Sequence, residues 1–367
     1  MKARWSGRLK QSRVESFLDL LGSEIVVEFG YMVDTSCGLA TKPYPGEQIA
    51  RKFARDALKE AVLAEEAGFE GVFLPGRHGR GGSILPSPLP FLSAISSVTT
   101  RVRLGTYVIV LPYYDPRKVA EEVAMLDLLS DGRVTLGVAR GGSWESDILE
   151  SSGFDPEIRT ERFIAGVKAI RKFWRGLEVT VNEGGLNYKA ATIYPRPIQD
   201  SCPIWVGALA DNAIIRAAEL GDAWAIDPFP IEIESWKRRV SLYRETADKV
   251  GKKGKIVLMR DAFLADSRKE AEQIYGKVVA EEYQQYWDWG LFSHVPGFES
   301  RDNVIVENLT GHMAIGTPED CIADLERCSD ELGVDYMVLC SRRPAGPTSS
   351  LVQESIRGFG ADVLPKL

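Results

Sequence analysis

Glu65-Glu66-Ala67-Gly68, followed within two residues by Gly71-Val72-Phe73-Leu74, is the stretch that decides the fold. A helix that closes on glycine and passes at once into a short apolar strand is what an α-to-β loop requires. The same hand-over recurs where Ala218-Glu219-Leu220-Gly221 leads into Ala223-Trp224-Ala225-Ile226, and where Glu331-Leu332-Gly333 leads into Tyr336-Met337-Val338-Leu339-Cys340. The chain is therefore read as a series of β/α units.

Outward from these, strands are expected near residues 25–31, 70–75, 102–110, 133–139, 203–207, 222–226, 255–264 and 334–340, with helical patterns between them. Eight alternations favour a closed α/β barrel of the (β/α)8 TIM type over an open sheet, and 367 residues accommodate it as one domain. Ile49, Phe53, Ala57, Ala61 and Ala64 share one face of a helix over 47–67, which should lie on the barrel. Residues 1–23 are expected to form a leader helix through Val14, Phe17, Leu18 and Leu21, ahead of a barrel domain over 24–367. Two insertions are expected. Val179 and Val181, the turn at Gly184-Gly185, and Leu186 and Tyr188 make a hairpin near 178–195. The stretch 291–313 lacks helical period and reads as a lid loop.

With a net charge of -7, most of the surface repels phosphate backbones, so a nucleic-acid partner is not expected. Lys2, Arg4, Arg8, Lys10 and Arg13 interrupt any apolar leader, which points to the cytoplasm and away from a membrane. The five cysteines contain no C-x-x-C pair, and three histidines are too few for a multi-histidine centre, so neither disulfides nor a metal site is expected. There is no G-x-S-x-G elbow, no G-x-x-x-x-G-K-[ST] loop and no G-x-G-x-x-G opening a helix. Acyl transfer, nucleotide hydrolysis and a Rossmann dehydrogenase lose their simplest support.

The run Leu104-Gly105-Thr106-Tyr107-Val108-Ile109-Val110-Leu111-Pro112 is followed by Leu126-Asp127-Leu128-Leu129-Ser130-Asp131-Gly132-Arg133 and Gly137-Val138-Ala139-Arg140-Gly141. Together with Arg159-Thr160-Glu161-Arg162-Phe163, Tyr194-Pro195-Arg196-Pro197, Pro203-Ile204-Trp205-Val206-Gly207 and Gly316-Thr317-Pro318-Glu319-Asp320, it resembles the bacterial-luciferase-like flavin monooxygenases, in the family's order over about residues 25–340. The resemblance implies a barrel that binds reduced FMN, or in some branches a reduced deazaflavin, at the C-terminal ends of its strands. In the FMN branch oxygen gives a peroxyflavin that oxidises a small organic substrate. A separate flavin reductase is implied too, because the chain has no nicotinamide fingerprint of its own. A homodimer is implied by resemblance alone.

Carried over residue by residue, the resemblance makes Arg140 and Arg162 the cationic partners of the flavin phosphate, beside Gly141. Gly207, Ala208, Leu209 and Asn212 open the next helix, whose N-terminus offers backbone donors to the same phosphate. The alternative there is an ordinary cap by Asp211. The family has a serine where Leu209 stands, so one hydroxyl contact is missing. Tyr107-Val108 matches the strand end that supports the isoalloxazine ring, sometimes through a cis peptide. Arg77 occupies the position of a catalytic histidine. His78 beside it is placed to act as acid or base, although a lone histidine is often structural. Tyr31, Tyr107 and Trp144 are possible walls over the flavin, whereas the run Tyr283, Tyr286, Trp287, Trp289 and Phe292 reads as core. The competing functions are an FMN monooxygenase, a deazaflavin-dependent oxidoreductase and a non-catalytic flavin-binding relative.

Overall fold

Along each strand, small and aromatic residues alternate with branched aliphatics, and the two sets face opposite sides of one parallel wall. The computed structural model describes residues 27–142 and 155–367, so the expected leader helix and Trp144 lie outside the described residues. Strands β1 (Glu28–Met32), β2 (Gly71–Leu74), β3 (Arg103–Thr106), β5 (Val134–Ala139), β8 (Ile204–Gly207), β9 (Ala223–Ile226), β10 (Lys255–Leu264) and β12 (Tyr336–Cys340) pair in that order, all in parallel. β12 pairs back onto β1 and closes the barrel. All eight staves fall where the sequence pattern puts them, within a few residues. β4 (Ile109–Val110) continues the third stave beyond Tyr107-Val108 and pairs with β5. The short β11 (Ala314–Gly316), which the pattern does not reveal, pairs with the far end of β10.

Inside the barrel, Phe73, Tyr107, Trp205 and Tyr336 form an aromatic plug, with the Phe73 and Trp205 rings stacked at 4.9 Å. Glycine neighbours make the room. A Cβ at Gly30 or Gly71 would stand 2.6 or 2.8 Å from the Phe73 ring, closer than carbon atoms approach. The outward residues, Val72, Leu104, Leu136, Ile204, Trp224 and Ile256 among them, join the surrounding helices in the main core. Helix Glu47–Glu66 buries Phe53, Ala57, Ala61 and Ala64 against this wall, as its period predicts, but Ile49 is exposed. Tyr31 likewise faces outward, donating to Glu60 at 3.3 Å, and does not wall the cavity described below.

The hairpin is present as β6 (Val179–Glu183) and β7 (Leu186–Ala191), antiparallel and joined through Gly184 and Gly185. The 291–313 stretch is built as short helical turns over a second core, in which Phe292, Val295, Phe298, Val304, Leu309 and Met313 pack with Tyr275, Tyr283 and Tyr286. Among the described residues, no helix is long and apolar enough to cross a membrane.

Candidate active site

The plug ends below the C-terminal rims of the strands, and above it lies a cavity of about 710 Å³, within the range of small-molecule sites. Its floor comes from strand ends: Met32, Gly76, Tyr107, Val108, Ala139, Gly207, Ala225 and Met259. The Tyr107-Val108 peptide is cis. The Tyr107 hydroxyl donates to the Ile226 carbonyl at 2.7 Å and accepts from the Ile226 N–H at 2.9 Å, which fixes the ring, and the Val108 carbonyl accepts from the Gly76 N–H at 3.1 Å.

One end of the cavity is cationic. Arg140 and Gly141 follow β5, and Arg159 begins helix Arg159–Trp174. Arg239 comes from helix Ile233–Lys249, on the same face as Ser235. Arg140 donates to Thr160 Oγ1 at 3.2 Å, and Arg159 Nη1 donates to the Gly142 carbonyl at 2.5 Å. Burial, and then the like charges of Arg159 and Arg216, push the Arg140 pKa down. The Nε atoms of Arg159 and Arg239 are buried with no acceptor. An orphaned buried donor costs about 1–3 kcal/mol, and two of them beside a cavity are donors that an anion would satisfy. Gly207, Ala208, Leu209 and Ala210 lead into helix Asp211–Leu220, whose N-cap Ala210 makes no side-chain cap. Asp211 does not cap; its carboxylate pairs with Arg238 at 2.8 Å, leaving the helix N-terminus open to a ligand.

The opposite end is a buried ionic lattice. Arg343 binds both oxygens of Asp261, at 2.7 and 2.6 Å, and Glu282 at 3.1 Å. Arg77 binds Asp34 at 3.0 Å and lies 3.6 Å from Glu282. Burial disfavours the Arg77 cation, but Asp34, Tyr286 and Glu282 overcome it and hold the group charged. Tyr286 donates to Glu282 and, with Trp289 and His294, lines the cavity beside Arg77 and Arg343. The arginines here are thus tied to carboxylates, unlike Arg159 and Arg239.

A family model described as luciferase-like monooxygenase matches residues 28–336. The chain belongs to the luciferase-like monooxygenase family. The F420-dependent glucose-6-phosphate dehydrogenase of Beutenbergia cavernae is 38% identical over 182 residues, covering 48% of this chain and 53% of that protein. The oxygenase component of the flavin-dependent trigonelline monooxygenase of Acinetobacter baylyi is 26% identical over 247 residues, 66% of this chain and 67% of that protein. This luciferase-like chain therefore spans about half the length of the first relative. Monooxygenase RslO1 from Streptomyces bottropensis superposes with a TM-score of 0.78 at 24% identity, covering 93% of this chain and 99% of that one. The oxygenating constituent of 3,6-diketocamphane monooxygenase from Pseudomonas putida gives 0.74 at 15%, over 93% and 99%. At such identities the likeness is one of fold.

Several residues singled out by family resemblance do not meet in the cavity. Arg162 is buried beside it but lines none of it: Nε donates to the Pro112 carbonyl at 2.9 Å, Nη2 to Tyr114 at 3.1 Å and Nη1 to Gly184 at 3.4 Å. It ties the hairpin turn to the loop after β4. Arg159, one turn earlier, lines the cavity. Asn212 is exposed and outside the cavity lining. His78 is also outside it, its Nε2 bonded to the Tyr114 hydroxyl at 2.5 Å and its ring between Tyr113 and Tyr114. Burial and nearby Arg80 lower its pKa, keeping the imidazole neutral at pH 7. Conversely, Tyr286 and Trp289, read as core, do line the cavity. Of the 291–313 stretch, Leu291, His294, Val295 and Pro296 line the cavity, while Phe292, Phe298, Val304, Leu309 and Met313 are buried in the second core. Arg239 and Arg343 each stand beside a second arginine, Arg238 and Arg342, and nothing in the sequence says which member of each pair lines the cavity. No group of His, Cys, Asp and Glu able to hold a metal occurs among the described residues.

Proposed function

We propose that the protein is a flavin-dependent monooxygenase that takes reduced FMN and oxygen and oxidises a small organic substrate, with the flavin delivered by a separate reductase. The observation that carries this reading is the pair of orphaned Nε donors of Arg159 and Arg239, beside Arg140 and an uncapped helix N-terminus, at one end of a cavity large enough for an isoalloxazine. Arg140, Arg159 and Arg239, with backbone N–H groups at Gly141 and at Ala208 to Leu209, bind the phosphate. The Tyr107-Val108 backbone supports the ring, and Leu291, Val295 and Pro296 cover it and limit water. Bound reduced FMN would supply the electrons with which oxygen is activated. Arg77 stays in the cavity as a charged wall that orients substrate. The relatives named as oxygenase component and oxygenating constituent support a two-component arrangement.

A deazaflavin-dependent dehydrogenase is the second reading, favoured by the 38% identity to the F420-dependent enzyme over part of the chain. The same arginines serve either phosphate. Anaerobic titration with reduced FMN and with reduced F420, followed by admission of oxygen, separates the two. Saturable binding of reduced FMN and substrate-dependent oxygen uptake are expected. Binding of reduced F420 alone, without oxygen uptake, would replace the first reading by the second.

A further inference from the structure

The end of the cavity away from the cationic cluster is walled by aromatic rings. Phe229 comes from the loop after β9, and Tyr286 and Trp289 from the last turn of helix Lys277–Asp288 and its cap. Phe229 stands edge-on to Tyr286 at 5.2 Å and stacks on Phe292 at 5.9 Å, while Tyr286 lies 5.5 Å from Trp289. Arg80 covers one face of Trp289 at 4.9 Å. Each ring is held by its neighbours, so the wall is set before any ligand arrives.

The polar groups beside these rings are engaged within the protein. Arg343 gives its edge to both oxygens of Asp261 and to Glu282, and one face to the Tyr283 ring, 5.4 Å away. What it presents to the cavity, which it lines, is its other face. Arg77 is tied to Asp34 and Glu282, so two cations meet three carboxylates and no positive charge is left over. The Tyr286 hydroxyl is donated to Glu282, and the Cys340 thiol to the Arg342 carbonyl at 3.0 Å. Of the carboxylates in the lining, Asp227 and Glu232, the second caps its helix by accepting from the Ser235 N–H at 3.3 Å. His294 is exposed to solvent. Among the described residues, the orphaned buried donors of this cavity are those of Arg159 and Arg239, at the other end. A charged group entering here would lose its water and find no partner in exchange. A π face, by contrast, gains contacts with fixed rings and with a guanidinium face that a saturated ring of the same size does not.

We propose that this end holds the substrate and that the substrate is an uncharged aromatic compound, its ring packed against Tyr286 and Trp289 and over the open guanidinium face of Arg343. The proposal rests on the functional reading above, in which flavin fills the cationic end.

The test is anaerobic calorimetric titration of the full chain, saturated with reduced FMN, with 2-naphthol. Decahydro-2-naphthol serves as its saturated counterpart, and 2-naphthoate and N-methylquinolinium as charged ones. 2-Naphthol should bind saturably, about two-fold to ten-fold tighter than the saturated alcohol. It should bind about ten-fold or more tighter than either ion. Phe229→Leu and Trp289→Leu each remove a ring and keep an apolar side chain, and either should abolish the preference for the aromatic alcohol without moving FMN affinity. Trp289 is half-buried, so its variant serves if Phe229→Leu does not fold. FMN affinity is read separately: if FMN does not bind, the functional reading falls, and the two alcohols titrated into the free chain still decide this one. Absence of saturable 2-naphthol binding, equal affinity for the two alcohols, tighter binding of either ion, or an unchanged preference in the folded variants would each overturn the proposal.

Discussion

Arg159 and Arg162 sit one turn apart on one helix, and their substitution by alanine should have opposite consequences. Arg159→Ala removes a half-buried cation whose Nε has no protein partner and whose Nη1 holds only the Gly142 carbonyl. In the free protein little is lost. With FMN bound, one charge-assisted hydrogen bond disappears, roughly 1.5–3 kcal/mol, or about 10-fold to 150-fold in affinity. Riboflavin, which lacks the phosphate, should bind wild type and variant alike. Arg162→Ala instead deprives three carbonyls of a donor inside the fold, those of Pro112, Tyr114 and Gly184. At about 1 kcal/mol each this destabilises by roughly 3 kcal/mol, while FMN affinity of the folded protein stays within about three-fold. Urea unfolding and calorimetric titration of both variants with FMN and riboflavin give the four numbers needed. If Arg162→Ala weakens FMN ten-fold or more, spares riboflavin and keeps its stability, the phosphate does not lie at Arg159.

Further outcomes follow from the same geometry. His78→Ala should change turnover by less than about ten-fold, because the ring is bonded to Tyr114 outside the cavity lining; loss of a general acid or base typically costs about 100-fold to 10,000-fold, and steady-state kinetics distinguishes these. His312 has its pKa depressed to about 4 in the fold, chiefly by burial, against an ordinary 6.5. Above pH 6.5 both folded and unfolded forms are neutral; as pH falls towards 4 only the unfolded chain takes up the proton, so about 3 kcal/mol of stability is lost across that window. His312→Phe should flatten that part of the stability profile measured by urea unfolding. Arg343→Met leaves Asp261 buried without its cation and Glu282 with Arg77 alone, and should destabilise by about 3–5 kcal/mol in the same assay.

The eight staves were legible because each carries a local signal, a short apolar run with the parity that sends Phe73 inward and Val72 outward, and three of them follow a glycine-terminated helix. The hairpin was legible for the same reason, since Gly184-Gly185 and the alternation of Val179 and Val181 are local. What was not legible depends on direction. Arg159 and Arg162 both belong to the family's motif and, at 100° per residue, point only about 60° apart one turn from each other, so only the fold shows which one meets the cavity. His78 was credited for its position at a strand end, which says nothing of a ring drawn towards Tyr114. The aromatic run from Tyr283 to Phe292 reads as core because it mostly is, with Tyr283 buried on Asp261; Tyr286 and Trp289 differ only in lying under the lip of the barrel. The lattice joining Arg77, Asp34, Asp261, Glu282 and Arg343 draws on residues from both ends of the described chain, and no window of sequence contains it.

The most direct test of the cofactor placement is a crystal structure of the protein with reduced FMN. The phosphate is predicted within hydrogen-bonding distance of Arg140, Arg159 and Arg239, with the ring against the Tyr107-Val108 peptide. A phosphate bound by Arg162, or a flavin lying anywhere but the cavity above the aromatic plug, would contradict the account.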